Sequence, residues 1–200
     1  NKNGLASTYH SLGLTYMTMG DFDMSLNYNK LALEMKKTLE DELGIGYSFA
    51  AIAGDYWYKG EYELALKYYK NSLDISARYE DEYYIALCTG YLAMVYISIR
   101  NYDNALKYSE ISYNKKKKLK IHKTGSIHEF IKLSYIKMKL GEIIDKNKIE
   151  DLLKNRGNDR YFYPDLLSYY ILGDISFLQT AYKKIIEKAD NLEPDVAAKF

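Results

Sequence analysis

Gly60-Glu61-Tyr62-Glu63-Leu64-Ala65-Leu66-Lys67-Tyr68-Tyr69-Lys70-Asn71-Ser72-Leu73-Asp74-Ile75 is flanked on both sides by near-copies of its own beginning. The earlier copy is Gly20-Asp21-Phe22-Asp23-Met24-Ser25-Leu26-Asn27-Tyr28, and the later one is Arg100-Asn101-Tyr102-Asp103-Asn104-Ala105-Leu106-Lys107-Tyr108, each displaced by 40 residues. A constant period in this range predicts a stacked array, in which no unit can bury its apolar face alone and each packs only against its neighbours.

Superposing the three units separates the positions that packing constrains from the rest. Small residues recur at Gly13, Ala53 and Ala93, at Ser25, Ala65 and Ala105, and at Ala32, Ser72 and Ser112. Helix axes approach closely only where side chains are small, so these positions predict helix crossings. Bulky residues recur between them: Leu12, Ile52, Leu92; Tyr16, Tyr56, Tyr96; Phe22, Tyr62, Tyr102; Leu26, Leu66, Leu106; and Tyr28, Tyr68, Tyr108. Within a unit, Leu12, Gly13 and Tyr16, and then Ser25, Leu26, Ala32 and Leu33, follow helical spacing. Each unit therefore reads as a helical hairpin. Gly20-Asp21 and Gly60-Glu61 mark its turn, because glycine takes the left-handed conformation and an acid favours the next helix N-terminus. Arg100-Asn101 replaces this pair in the third unit, with Arg100 the poorer terminator.

The expected helices span residues 4–19, 22–40, 43–59, 62–79, 82–99 and 102–119. Beyond Lys120 the repeat degrades. Helices are expected over 127–140 and 143–154, then a loop at Asn155–Asp159, a helix from Pro164 to Leu172, another over 175–191, and a last one opening at Glu193-Pro194. The fold class is all-α: three regular hairpins over residues 1–120, then degenerate hairpins over 121–200 that continue the same solenoid.

Composition removes several function classes. Twenty-eight basic against 27 acidic residues give a net charge of +1, which supplies no field favouring nucleic acid or an anionic membrane. No apolar run approaches the ~20 residues of a membrane span. The single cysteine, Cys88, excludes an intrachain disulfide and fits a reducing, cytoplasmic compartment. The first residues, Asn1-Lys2-Asn3-Gly4, are not a signal peptide; they lack an initiator Met and stand at a repeat boundary, so the chain reads as a piece of a larger protein. The excess of Lys, Ile, Asn and Tyr points to an AT-rich, bacterial genome.

No catalytic or metal constellation emerges. His10, His122 and His128 are scattered, without the spacing of a metal site. Cys88 reads as a buried structural thiol, and Gly44-x-Gly46 lacks the strand and third glycine of a dinucleotide loop. Lys115–Lys118 with Lys120 read as a solvated helix end complementing the dipole, and Glu40-Asp41-Glu42 and Glu80-Asp81-Glu82 as links between hairpins. No cofactor and no enzymatic activity are expected.

The pattern Leu12-Gly13-x-x-Tyr16, Gly20-Asp21-Phe22, Ser25-Leu26-x-Tyr28 and Ala32 resembles the tetratricopeptide repeat, in phase with its counterparts in the second and third units. The resemblance covers residues 4–119 well and 120–200 loosely. It departs in period, 40 rather than about 34 residues, and in this is similar to the extended variant of bacterial signalling proteins such as Rap-type and PlcR-type peptide-pheromone receptors, MalT-like regulators and sensor regions of kinases or cyclases. The resemblance implies a right-handed superhelix whose first helices line a concave groove for a peptide or protein. It places Ser7, His10, Leu14, Met17 and Thr18 of the first unit in that groove, with Tyr47, Ala50, Gly54, Trp57 and Tyr58 of the second and Leu87, Gly90, Met94, Ile97 and Ser98 of the third. The Lys and Asn clamp for a C-terminal carboxylate is missing. Partner-binding candidates are therefore His10, Leu14, Met17, Tyr47, Ala50, Trp57, Tyr58, Met94 and Ile97, with Trp57, Tyr58 and Tyr47 as anchors. The leading expectation is a non-enzymatic scaffold in a larger signalling protein. Its rivals are a ligand or pheromone receptor controlling an attached effector, and self-association through exposed solenoid ends.

Overall fold

The computed structural model of the chain describes residues 2–120, 123–154 and 162–190. Among these it contains ten helices: α1 Lys2–Thr18, α2 Phe22–Thr38, α3 Glu42–Tyr58, α4 Tyr62–Arg78, α5 Glu82–Ser98, α6 Tyr102–Lys118, α7 Lys123–Lys139, α8 Lys146–Lys154, α9 Tyr163–Leu172 and α10 Ile175–Ala189. The fold is an all-α solenoid in which α1/α2, α3/α4 and α5/α6 form successive hairpins, each packed on the next. No described helix is long and apolar enough to cross a membrane.

The 40-residue period is two nested periods of 20. Each of the first six helices is 17 residues long, and three-residue connections join them. The central connecting residue is left-handed at each of these five joints, with φ between 53° and 80° at Gly20, Glu40, Gly60, Glu80 and Arg100, and Lys120 after α6 takes the same conformation at φ 51°. The amide of the following residue reaches back to the helix it leaves, as in Asp21 N to Tyr16 O at 3.0 Å and Asp81 N to Ser76 O at 2.9 Å. This is the Schellman closure of a helix C-terminus. The same following residue then caps the next helix: Asp21, Asp41, Asp81 and Asn101 each accept from the amide three residues on. One short segment thus satisfies the orphan groups of two helix ends. The acidic links at Asp41 and Asp81 have this role, while Glu40, Glu80 and Arg100 occupy a conformation that glycine adopts with less strain.

Every small position inferred from the repeat is buried: Gly13, Ala53, Ala93, Ser25, Ala65, Ala105, Ala32, Ser72 and Ser112. The recurring tyrosines form one stacked pair per hairpin. Tyr16 lies on Tyr28 at 5.4 Å, Tyr56 on Tyr68 at 5.6 Å and Tyr96 on Tyr108 at 5.5 Å. The tyrosine excess is therefore partly a packing device, since offset ring pairs add to what area burial contributes.

The later units depart from the expected pairing. Helix α7 begins at Lys123, and its second neighbour is α9 rather than α8. Helix α8 starts at Lys146, leaving Ile143 fully exposed, and contributes chiefly Ile149 to a cluster with Ile127, Ile131, Tyr135, Leu167 and Ile171. Helices 127–140 and 143–154 thus do not form a hairpin of the regular kind, because a nine-residue helix is too short to cover α7. Helices α9 and α10 do form one, around Gly173 at φ 76° with Asp174 as N-cap. The expected loop at Asn155–Asp159, the helix at Glu193-Pro194 and His122 lie outside the described residues.

Candidate functional site

A half-open cavity of about 180 Å³ lies where α1, α3 and α5 meet. Its wall includes His10, Leu14 and Met17 from α1, Tyr47, Ala50, Gly54, Trp57 and Tyr58 from α3, and Tyr84, Leu87 and Tyr91 from α5. The space exists because α3 presents Ala50 and Gly54 between aromatic residues one turn away on either side. A Cβ built on Gly54 would meet only the Tyr69 hydroxyl at 3.5 Å and the Met17 sulfur at 4.0 Å.

Seven of the nine partner-binding candidates are brought together here: His10, Leu14, Met17, Tyr47, Ala50, Trp57 and Tyr58. Met94 and Ile97 are not. Ile97 instead packs beside Tyr96, Ala105 and Ile136, and beside the cluster formed with α7 and α9. The third unit is covered by α7 at that level, so its first helix turns a different set of residues to the open side.

Several wall residues are already held by neighbours. Trp57 Nε1 donates to Ser98 Oγ at 3.1 Å, which ties α3 to α5. Its ring meets Tyr58, which is 52% exposed and stacks on Phe22 at 4.9 Å. Trp57 is thus both a packing residue between units and part of the wall. Tyr47 stacks on Tyr84 at 3.8 Å and donates to Asp81 Oδ2 at 2.7 Å. Burial, with the Asp81 carboxylate beside it, pushes the Tyr47 phenol up to about 12. Burial and the nearby Lys36 ammonium push the His10 imidazole below its usual range, so it is neutral.

Tyr69, Tyr84, Tyr91 and Ala51 also line the cavity and escaped the sequence reading. Tyr69 belongs to α4, a second helix. Its counterparts are Asn29 and Ser109, and that change of chemistry at an otherwise regular position was the available signal.

Behind the cavity lies a buried polar cluster. Asp55 of α3 is fully buried and accepts from Ser25 Oγ at 2.6 Å and Asn29 Nδ2 at 2.8 Å. Burial outweighs these bonds and the Lys59 charge, raising the Asp55 carboxyl to about 6. A second cluster sits between α5, α6 and α7. Glu129 pairs with Lys116 and with Lys132, each at 2.6 Å, and Lys132 donates to Gly90 O at 3.1 Å. Gly90 is required there, since a Cβ would lie 2.9 Å from Ser112 Oγ. Lys115 also pairs with Glu82 at 2.6 Å. The lysine run is therefore not simply a solvated helix end: two of its members bind neighbouring helices. Cys88 is a buried thiol beside Ser72 Oγ at 3.2 Å, raised to about 11 by its burial. Among the described residues no three His, Cys, Asp or Glu side chains gather where they could hold a metal ion.

Two tetratricopeptide repeat profiles match the sequence, over residues 5–42 and 47–118, together more than half of it. The chain belongs to the tetratricopeptide repeat family. By sequence, no curated protein matches it. Solved repeat structures do resemble it. The apo form of RapI is similar at a TM-score of 0.77 and 20% identity, over 93% of this chain and 70% of that one. BtubC (BKLC) from P. vanneervenii is similar at 0.67 and 20%, over 78% and 63% of the respective chains. A putative kinesin light chain from Podosopora anserina with nearly identical TPR-like repeats is similar at 0.64 and 14%, over 94% and 96%. At these identities the likeness concerns the fold. Within the tetratricopeptide repeat fold, this chain's own residues make the cavity.

Proposed function

We propose that this chain is a non-enzymatic binding module that holds a peptide segment of another protein against α1, α3 and α5, as the sensor or adaptor region of a larger bacterial signalling protein. The observation that supports the reading is a cavity walled by three successive first helices, each contributing at least one apolar or aromatic residue. Concave, mostly apolar sites with a few polar groups are where folds of this kind accept ligands. The exposed Tyr58 and Leu14 at its edge suit contact with a backbone lying along the surface, while one side chain enters the cavity. The family resemblance to peptide receptors and the likeness to RapI point the same way.

Trp57, the sole tryptophan, reports occupancy directly. A displayed random-peptide library selected on the wild-type chain is counter-selected on Gly54→Leu, whose side chain projects into the cavity. Peptides retained by wild type alone should change Trp57 fluorescence. Failure to recover any peptide whose binding depends on residue 54 refutes the reading.

A further inference from the structure

Tyr69 reaches the cavity from α4, with its side chain 1% exposed and its hydroxyl beside Gly54. Among the described residues no hydrogen bond reaches that hydroxyl. The hydroxyl opens onto the cavity, where water, or an occupant that displaces it, can pair with it.

The surroundings select the sign of that partner. No lysine or arginine lines the cavity. His10 is neutral, and the nearest cation, Lys36, is bound to Asp41 at 2.7 Å. Burial raises the Tyr69 phenol well above its ordinary value, with smaller contributions from Tyr91, Cys88, Tyr58 and, last, Asp55. Asp81 acts likewise through Tyr47. Six aromatic rings, those of Tyr47, Trp57, Tyr58, Tyr69, Tyr84 and Tyr91, surround the space. Such rings attract a cation through their quadrupoles, whereas a carboxylate would find no lysine or arginine in the wall to pair with.

We propose that the cavity selects a lysine side chain of the bound peptide, its methylene stem lying along Leu14, Met17 and Leu87 and its ammonium donating to the Tyr69 hydroxyl within the aromatic wall. This rests on the peptide-binding reading above. It makes Tyr69 the residue that distinguishes an ammonium from a plain aliphatic tip.

The test titrates three acetylated, amidated tripeptides, alanine–lysine–alanine and its norleucine and glutamate counterparts, against the full chain while following Trp57 fluorescence. The lysine peptide should bind tightest and the glutamate peptide weakest. Tyr69→Phe, which removes only the unpaired hydroxyl, should keep the wild-type circular dichroism and melting. It should bind the lysine peptide about tenfold more weakly and the norleucine peptide unchanged. Free n-butylammonium, tested alongside, should bind more weakly than the lysine peptide because it lacks the backbone contacts. If the norleucine peptide binds as well as the lysine peptide, or if Tyr69→Phe leaves lysine binding untouched, ammonium selection is refuted while the peptide site stands. If no tripeptide and no library peptide perturbs Trp57, both readings fall together.

Discussion

Asp55→Asn should stabilise this protein at neutral pH, although it removes a carboxylate that accepts two hydrogen bonds. The folded carboxyl titrates at about 6, against 3.8 for the unfolded group, chiefly because burial penalises its charge. The folded state therefore holds the proton more tightly, and the sign of the linkage follows. Below pH 3.8 both states are protonated and Asp55 has no effect. As pH rises toward 6 the unfolded chain alone ionises and stability falls; above 6 the loss is complete. The gap of roughly two pKa units corresponds to ~3 kcal/mol.

Asparagine keeps the shape and removes the charge. The Asn29 Oδ1 atom is buried without a hydrogen-bond partner in the described structure. A flipped Asn29 amide would present this oxygen to the new Nδ2 at position 55, while Ser25 would still donate to the new Oδ1. At pH 7.5 the variant should gain about 1–3 kcal/mol, which for a chain of this size raises the melting midpoint by roughly 2–10 °C. Between pH 4 and 6 its melting profile should be flatter than that of wild type. Asp55→Ala, which takes the closest acceptor from Asn29 Nδ2 and leaves a void while Ser25 keeps the Gly13 carbonyl at 2.8 Å, should be less stable than Asp55→Asn by about 2–4 kcal/mol. A marked loss in Asp55→Asn at pH 7.5, or a pH profile parallel to wild type, would refute the assignment of burial as the dominant effect.

Arg100, left-handed at φ 58°, should be improved by Arg100→Gly by about 0.5–1 kcal/mol, and Gly60→Ala at φ 77° should cost at least as much; thermal melts of the two variants check both signs. A double-mutant cycle on the stacked pair Tyr96 and Tyr108 should give a coupling of about 0.5–1.5 kcal/mol, and a value near zero would mean the rings contribute only area. Glu129→Gln leaves two lysines facing a neutral amide in the buried cluster between α5, α6 and α7. It should cost about 3–5 kcal/mol in denaturant unfolding, against little for Glu34→Gln, whose carboxylate pairs with Lys37 at 2.8 Å on the exposed side of α2.

Most of the fold was legible because the repeat compares each position with its own copies. Gly13, Ala53 and Ala93 need no structure to be recognised as a crossing, and the three Tyr pairs follow from equal phase. What was not legible arises where one unit departs from the others. Asp55 replaces Thr15 and Val95, Tyr69 replaces Asn29 and Ser109, and Lys132 stands where Leu92 and Ile52 are buried in earlier units. Asp55 is met by Ser25 and Asn29 of α2, Lys132 by the Gly90 carbonyl of α5 and Tyr69 by the Tyr91 ring of α5, so no spacing rule within one helix could find these contacts. Ile97 lies away from the cavity for the same reason: the degenerate fourth unit packs beside it, so equal phase does not give it the neighbours that Trp57 has.

The period itself supplies the last link between sequence and site. Relative to the usual repeat of about 34 residues, each 40-residue unit adds three residues to each half, close to one helical turn of 3.6. Adding nearly a full turn preserves the phase of the apolar stripe, so Leu12, Gly13 and Tyr16 can still meet their counterparts across the hairpin. It also lengthens the exposed side of each first helix by about 4–5 Å. On α3 that side holds Tyr47 at one end and Trp57 and Tyr58 at the other, with Ala50 and Gly54 between them. From Tyr47 to Tyr58 the helix rises about 16 Å, room for aromatic residues at both ends of a gap floored by small ones. A helix one turn shorter would bring those ends together and close the gap. The long period and the cavity are therefore one feature, and shortening α3 by a turn while keeping the hairpin phase should abolish peptide binding without unfolding the array.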